Sequence, residues 1–116
     1  MMKREIKLDR TKLEALGYNW DLSYKILCEN FERAGFIKEV HTEDGTLIYR
    51  GTDSSKDFSY FGLMYTSLIE QEWIRKTVVR LHWLNNQHTK DGSFTYSDGI
   101  ETAIQYGYKG FEAYEK

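Results

Sequence analysis

The stretch FGLMYTSLIEQEWIRKTVVRLHWL, Phe61 to Leu84, changes its hydrophobic period halfway along. Phe61, Met64, Tyr65, Leu68 and Ile69 recur at the spacing of one helical face. After Trp73 the residues turn β-branched, and Val79, Leu81 and Trp83 alternate with Arg80 and His82. The spacing predicts an amphipathic helix to about Trp73 that feeds a strand with almost no loop. That strand has one apolar face and one face carrying Arg80 and His82.

Upstream, Ile6 and Leu8 alternate with Glu5, Lys7 and Asp9, which predicts a first strand ending near Asp9. A connection follows, with a helical turn at 11–16. Asp21 or Asn19 is placed to cap a helix running to about Ala34, with Leu22, Ile26, Leu27, Phe31 and Ala34 as its apolar stripe and Gly35 as its stop. Residues 36–40 and 47–49 are short apolar or β-branched runs on either side of Glu43-Asp44-Gly45-Thr46, a strong hairpin signal. Asp57 or Ser59 then caps the second long helix. The order β-α-β-β-α-β is that of an α+β, ferredoxin-like fold: an antiparallel sheet with two helices on one face. Residues 1–84 form this core. Residues 85–116 are a C-terminal extension of the same domain, with Phe94 and Tyr96 alternating in a fifth strand and Asp98 capping a short helix through Ile104. The end rich in Tyr and Gly, 106–111, reads equally as an ordered interface or a frayed tail.

At 116 residues the chain fits one domain, and 41% hydrophobic with 29% charged residues places it among folding sequences. The net charge of −2 argues against a surface coated for long nucleic acid, yet residues 73–90 hold Arg75, Lys76, Arg80 and Lys90 with no carboxylate. One cysteine, Cys28, leaves no internal disulfide and no cysteine-based zinc site. The charged N-terminus lacks the apolar segment of a signal peptide, and no run of about 18 apolar residues exists to span a membrane, so a cytoplasmic protein is expected.

Phosphate-binding loops, HExxH and GxSxG are absent, and His41, His82 and His88 are dispersed. Strand parity is more informative. If Ile6 and Leu8 face the helices, then Lys7 and Asp9 share the open sheet face with Arg80 and His82. A carboxylate there suits Mg²⁺, while an Arg and a His suit phosphate binding and proton transfer. The plainer reading makes Asp9 a strand-end cap and Arg80 an ion-pair partner, and residue type alone favours it.

The passage 72–81 (EWIRKTVVRL) resembles the helix-to-strand passage of the virulence-associated protein D (VapD) family. The helix 24–36 ending in Gly35-Phe36, the hairpin strand Gly45-Thr46-Leu47-Ile48-Tyr49 and Tyr96-Ser97-Asp98 are similar to other family segments in the same order, so that the likeness spans roughly residues 5–104. The resemblance implies a ferredoxin-like fold related to the Cas2-type nucleases of CRISPR adaptation. It also implies a homodimeric endoribonuclease, often the toxin of a toxin–antitoxin pair with a protein antitoxin. Asp9 matches the family's strand-end Asp. Two departures stand out: Lys7 interrupts the apolar residues around it, and Arg80 stands where many members have an acid.

On this basis Asp9 and His82 are the candidate catalytic residues, with Asp9 also the candidate Mg²⁺ ligand. Lys7, Arg80 and, as a stacking ring, Tyr49 are candidates for binding single-stranded RNA. The competing expectation is a catalytically inactive ferredoxin-like module whose open sheet face and tyrosine-rich tail are buried in a dimer or against another protein.

Overall fold

The computed structural model describes residues 1–114. Its strands are β1 (Met2–Leu8), β2 (Ile37–His41), β3 (Leu47–Arg50), β4 (Val78–Asn85) and β5 (Thr95–Asp98). Its helices are α1 (Arg10–Ala15), α2 (Trp20–Arg33), α3 (Asp57–Glu70), α4 (Glu72–Thr77) and α5 (Gly99–Gln105). The protein is therefore α+β. The strands form one sheet in the order β2-β3-β1-β4-β5, with every neighbouring pair antiparallel.

Alternation along β1 decides which side is core. Met2, Arg4, Ile6 and Leu8 are buried, whereas Lys3, Glu5 and Lys7 are only partly covered. Ile6 and Leu8 join Leu47, Tyr49, Val78 and Leu81 from the other strands in one cluster. Leu13, Leu27, Phe31, Phe61, Leu68, Ile69, Ile74 and Ile100 from the helices complete it. The residues of opposite parity line the other sheet face.

The helix expected to run to about Trp73 is broken at Gln71, whose backbone is extended (φ −85°, ψ 118°). Gln71 supports the break on both sides. Its side-chain NH₂ donates to the Ser67 carbonyl (3.0 Å), and its Oε1 accepts from the Trp73 indole (2.9 Å). Arg75 reaches back to the Ile69 carbonyl (2.7 Å), one of the acceptors that the end of α3 leaves without a helical partner. α4 then passes straight into β4 at Val78, with no intervening loop.

Two expectations about facing need correction. In α2 the buried residues are Trp20, Ser23, Tyr24, Leu27, Cys28 and Phe31, while Leu22 and Ile26 face outward. Both stripes have helical spacing. The one that wins carries Tyr24, whose hydroxyl donates to the Gly45 carbonyl (2.5 Å) and accepts from the Leu8 N–H (3.0 Å). In β4, Val78 rather than Val79 opposes core residue Leu8, and Arg80 opposes Lys7. Val79 is thus the extra residue of a bulge. The bulge restores the alternation beyond it, so Leu81 faces the core and Arg80 and His82 face away.

The chain after residue 84 belongs to the same core. β5 pairs with β4, and Asp98 caps α5 by accepting from the Ile100 (2.9 Å) and Glu101 (3.3 Å) N–H groups. Phe111 is fully buried, and Tyr114 donates to Asp98 (2.9 Å) and also bonds Glu101. The final turn is further tied down by Lys12 to Glu112 (2.6 Å) and Arg75 to the Lys109 carbonyl (3.0 Å). Residues 106–111 are therefore an ordered strap over their own domain. Among the described residues, no helix is long and apolar enough to cross a membrane.

Candidate active site on the open face of the sheet

The antiparallel register of the two central strands sets Glu5 opposite His82 and Lys7 opposite Arg80. All four have the parity that points away from the helices. His82 Nδ1 lies 3.0 Å from Glu5 Oε1, and Arg80 Nε lies 3.8 Å from Glu5 Oε2. The Glu5 side chain is only 14% exposed, against 24% for His82 and 36% for Arg80. The carboxylate is thus the floor of the cluster, with the imidazole and the guanidinium above it.

A carboxylate only accepts hydrogen bonds, so its bond to His82 places the proton on Nδ1 of the neutral ring and leaves Nε2 with its lone pair. Nε2 has no hydrogen-bond partner among the described residues. The arrangement is that of an oriented general base. Arg80 makes no hydrogen bond among the described residues, and its Nε is shut away from solvent at ion-pair range of Glu5. Its remaining donors can take phosphate oxygens.

Aromatic rings flank this cluster. Tyr96 of β5 lies 4.8 Å from the His82 ring and is 67% exposed. Phe94 receives the Lys3 ammonium 4.6 Å from its centroid. Elsewhere on the face the charges are compensated. Glu39 binds Lys3 (2.7 Å) and Arg50 (3.6 Å), and Asp44 binds Lys7 (3.4 Å). Hydrogen bonds from Thr42 and Thr46, more than the neighbouring Lys7, hold the Asp44 carboxyl well below the usual carboxylate range.

The sequence-derived candidates separate into those the fold brings together and those it does not. Lys7, Arg80 and His82 share the open face as expected. Asp9 does not join them. It follows the last residue of β1 and caps α1, its Oδ1 accepting from the Lys12 N–H (3.1 Å) while its own N–H donates to the Thr77 carbonyl (2.8 Å). Tyr49 is the clear correction. Its ring is fully buried, stacked on Phe31 at 4.6 Å, and its hydroxyl donates to Glu32 (2.7 Å), so it offers no face to a base. Glu5, Tyr96 and Phe94 are the members that residue-by-residue reading missed. Glu5 has the parity of Lys7 and becomes the partner of His82 only through the register of two strands 77 positions apart.

The Mg²⁺ expectation rests on Asp9. The ion prefers an octahedron of oxygens that usually includes one or two free carboxylates. Here one Asp9 oxygen is engaged by the cap, and no group of three or more His, Cys, Asp or Glu suited to a metal occurs among the described residues. In comparisons with family models, curated proteins and solved structures, nothing matches this chain.

Proposed function

We propose that the protein is a VapD-like endoribonuclease that cleaves single-stranded RNA on the open sheet face, with His82 as the general base. The observation that carries this reading is the bond of His82 Nδ1 to Glu5 at 3.0 Å, beside the free donors of Arg80. Nε2 takes the proton of a ribose 2′-hydroxyl, and the resulting oxygen attacks the adjacent phosphorus. The bond from phosphorus to the 5′ oxygen breaks, and the departing oxygen takes a proton from water. Arg80 and Lys7 stabilise the charge that builds on the phosphoryl oxygens. Glu5 keeps the imidazole in the working tautomer, and Tyr96 and Phe94 are stacking platforms for unpaired bases.

The strand order β2-β3-β1-β4, all antiparallel, supports reading the fold as ferredoxin-like, with β5 added at one edge. That reading is the structural ground for keeping the family resemblance. The homodimer, the antitoxin partner and the toxin role belong to the same proposal.

The chemistry leaves a signature. Purified protein incubated with end-labelled single-stranded RNA in excess EDTA should yield 2′,3′-cyclic phosphate and 5′-hydroxyl ends. Products with 5′-phosphate ends that vanish on chelation would contradict the His82 mechanism and return the reaction to a metal.

A second reading has its own observation. Phe58 and Leu63 of α3 are each 69% exposed, the kind of outward apolar surface that a binding partner covers. In that reading the chain is an inactive ferredoxin-like interaction module. A protein that scatters light as a dimer or larger complex but leaves RNA intact under all metal conditions would favour it.

A further inference from the structure

Among the described residues on the helix side of the sheet, one cation lacks an anion. Arg4, in the middle of β1, is 5% exposed and forms no ion pair or hydrogen bond among the described residues. Its Nε is both buried and unpartnered. The guanidinium lies between two rings, 5.1 Å from the centroid of Tyr65 and 5.3 Å from that of Trp83. Ring faces offset part of the desolvation of a cation but supply no hydrogen-bond acceptor in its plane. Burial draws the guanidinium down to about 10, so it remains charged at neutral pH.

Arg4 also lines a pocket of about 200 Å³, together with Phe58, Tyr65, Trp83, Ser97 and Thr102. The walls are fixed by contacts of their own. Tyr65 donates to the Gly99 carbonyl (2.7 Å), Thr102 donates to the Asp98 carbonyl (3.1 Å), and Trp83 meets Phe61 edge-on at 5.2 Å. A buried cation, unpaired among the described residues and facing a pocket with three aromatic walls, is a half-built recognition site. The missing half is an anion with an apolar body.

We propose that this pocket binds a small organic carboxylate with a planar apolar body, its carboxylate paired with Arg4 and its body held among Phe58, Tyr65 and Trp83. Charge and size both select this class. A single guanidinium matches one monoanionic carboxylate through two parallel N–H···O bonds, whereas a phosphate dianion would bring a second charge that no other cationic lining residue meets. A cavity of about 150 Å³ suffices for benzene, so about 200 Å³ admits a ring with its carboxylate. The site is on the opposite side of the sheet from His82 and does not depend on the ribonuclease reading.

Titration of the full chain with benzoate, benzyl alcohol and inorganic phosphate, followed by calorimetry and by the Trp83 indole resonance, tests this directly. Benzoate is expected to shift that resonance and to bind at least about ten-fold more tightly than either of the others, one hydrogen-bonded ion pair being the difference. Arg4→Met, which fills the space without the charge, should weaken benzoate at least about ten-fold while circular dichroism stays native. Equal binding of benzyl alcohol and benzoate, tighter binding of phosphate, unchanged benzoate affinity in the variant, or no saturable response to any probe would each overturn the proposal. Should Arg4→Met fail to fold, the comparison of the three probes on the native chain decides alone.

Discussion

Asp9 shows at the scale of one residue how a single side chain supports two accounts. In the proposed VapD-like reading its position is that of the strand-end Asp, and in the structure its Oδ1 accepts from the Lys12 N–H as a helix cap. The two roles separate chemically, because Asn caps a helix about as well as Asp but carries no charge. Asp9→Ala, which removes the cap, should lower the unfolding free energy by about 1 kcal/mol, and Asp9→Asn, which keeps a capping oxygen, should lower it by less, as read by urea denaturation. Equal losses in both would show that the charge rather than the cap holds this corner. The cap was legible as a possibility from residue type alone. Glu5 was not, because nothing local distinguishes a strand Glu that orients an imidazole from one that is merely solvated.

Among the elements, local chemistry was the readable part except at α3, where Lys56 rather than Asp57 or Ser59 is the N-cap and no side chain makes a capping bond. Asp98 before a short helix, Gly35 after a long one and Asp44-Gly45 in the hairpin all sit where expected, because caps and turns depend on a few adjacent residues. Parity was readable only where the alternation was clean. In β3, Leu47, Ile48 and Tyr49 are consecutive and apolar, so the pattern held no sign of which face was buried, and Tyr49 went inward. The Val79 bulge was hidden for a related reason, since two valines in a row satisfy either register.

The hairpin is locked to α2 and β1 through Tyr24. Gly45 has φ +91°, and a Cβ there would stand 2.6 Å from the Tyr24 hydroxyl oxygen and 2.7 Å from the Trp20 ring. Only glycine fits both the backbone and the space. Burial, ahead of every other influence, raises the Tyr24 phenol from 10.0 to about 12. The unfolded chain therefore loses this proton near pH 10 while the folded chain keeps it to about pH 12. The resulting stability is fully present below pH 10 and is lost as the pH rises towards 12. Tyr24→Phe should be less stable at pH 8 by about 1 kcal/mol, the value of the lost hydrogen bonds. Its stability should then fall less steeply than that of the native chain between pH 10 and 12, by an amount on the order of 2 kcal/mol. Parallel profiles from urea unfolding at each pH would refute the assigned role. Taking the difference between the two proteins removes the opposing contribution of Arg4, whose burial lowers its pKa over the same alkaline range.

For the molecule as a whole, one sheet separates two chemistries. The helix side holds the core and the Arg4 guanidinium, unpaired among the described residues; the open side holds paired charges, exposed aromatics and the Glu5–His82–Arg80 cluster. The division follows from alternation in β1, where Arg4 and Glu5 are neighbours in sequence and point to opposite faces. The layer architecture and the last helix-to-strand passage were available from hydrophobic period. The composition of the site was not, because it depends on strand register and on β5. In the proposed cleavage the Glu5–His82 pair, and not Asp9, moves the proton. Single-turnover cleavage of a labelled single-stranded RNA in EDTA, measured for the native chain, His82→Gln and Asp9→Asn side by side, tests it most directly. The His82 variant should lose roughly 100-fold or more, and the Asp9 variant should cleave at a rate near native. Undiminished cleavage by His82→Gln, or abolished cleavage by a folded Asp9→Asn, would contradict that assignment.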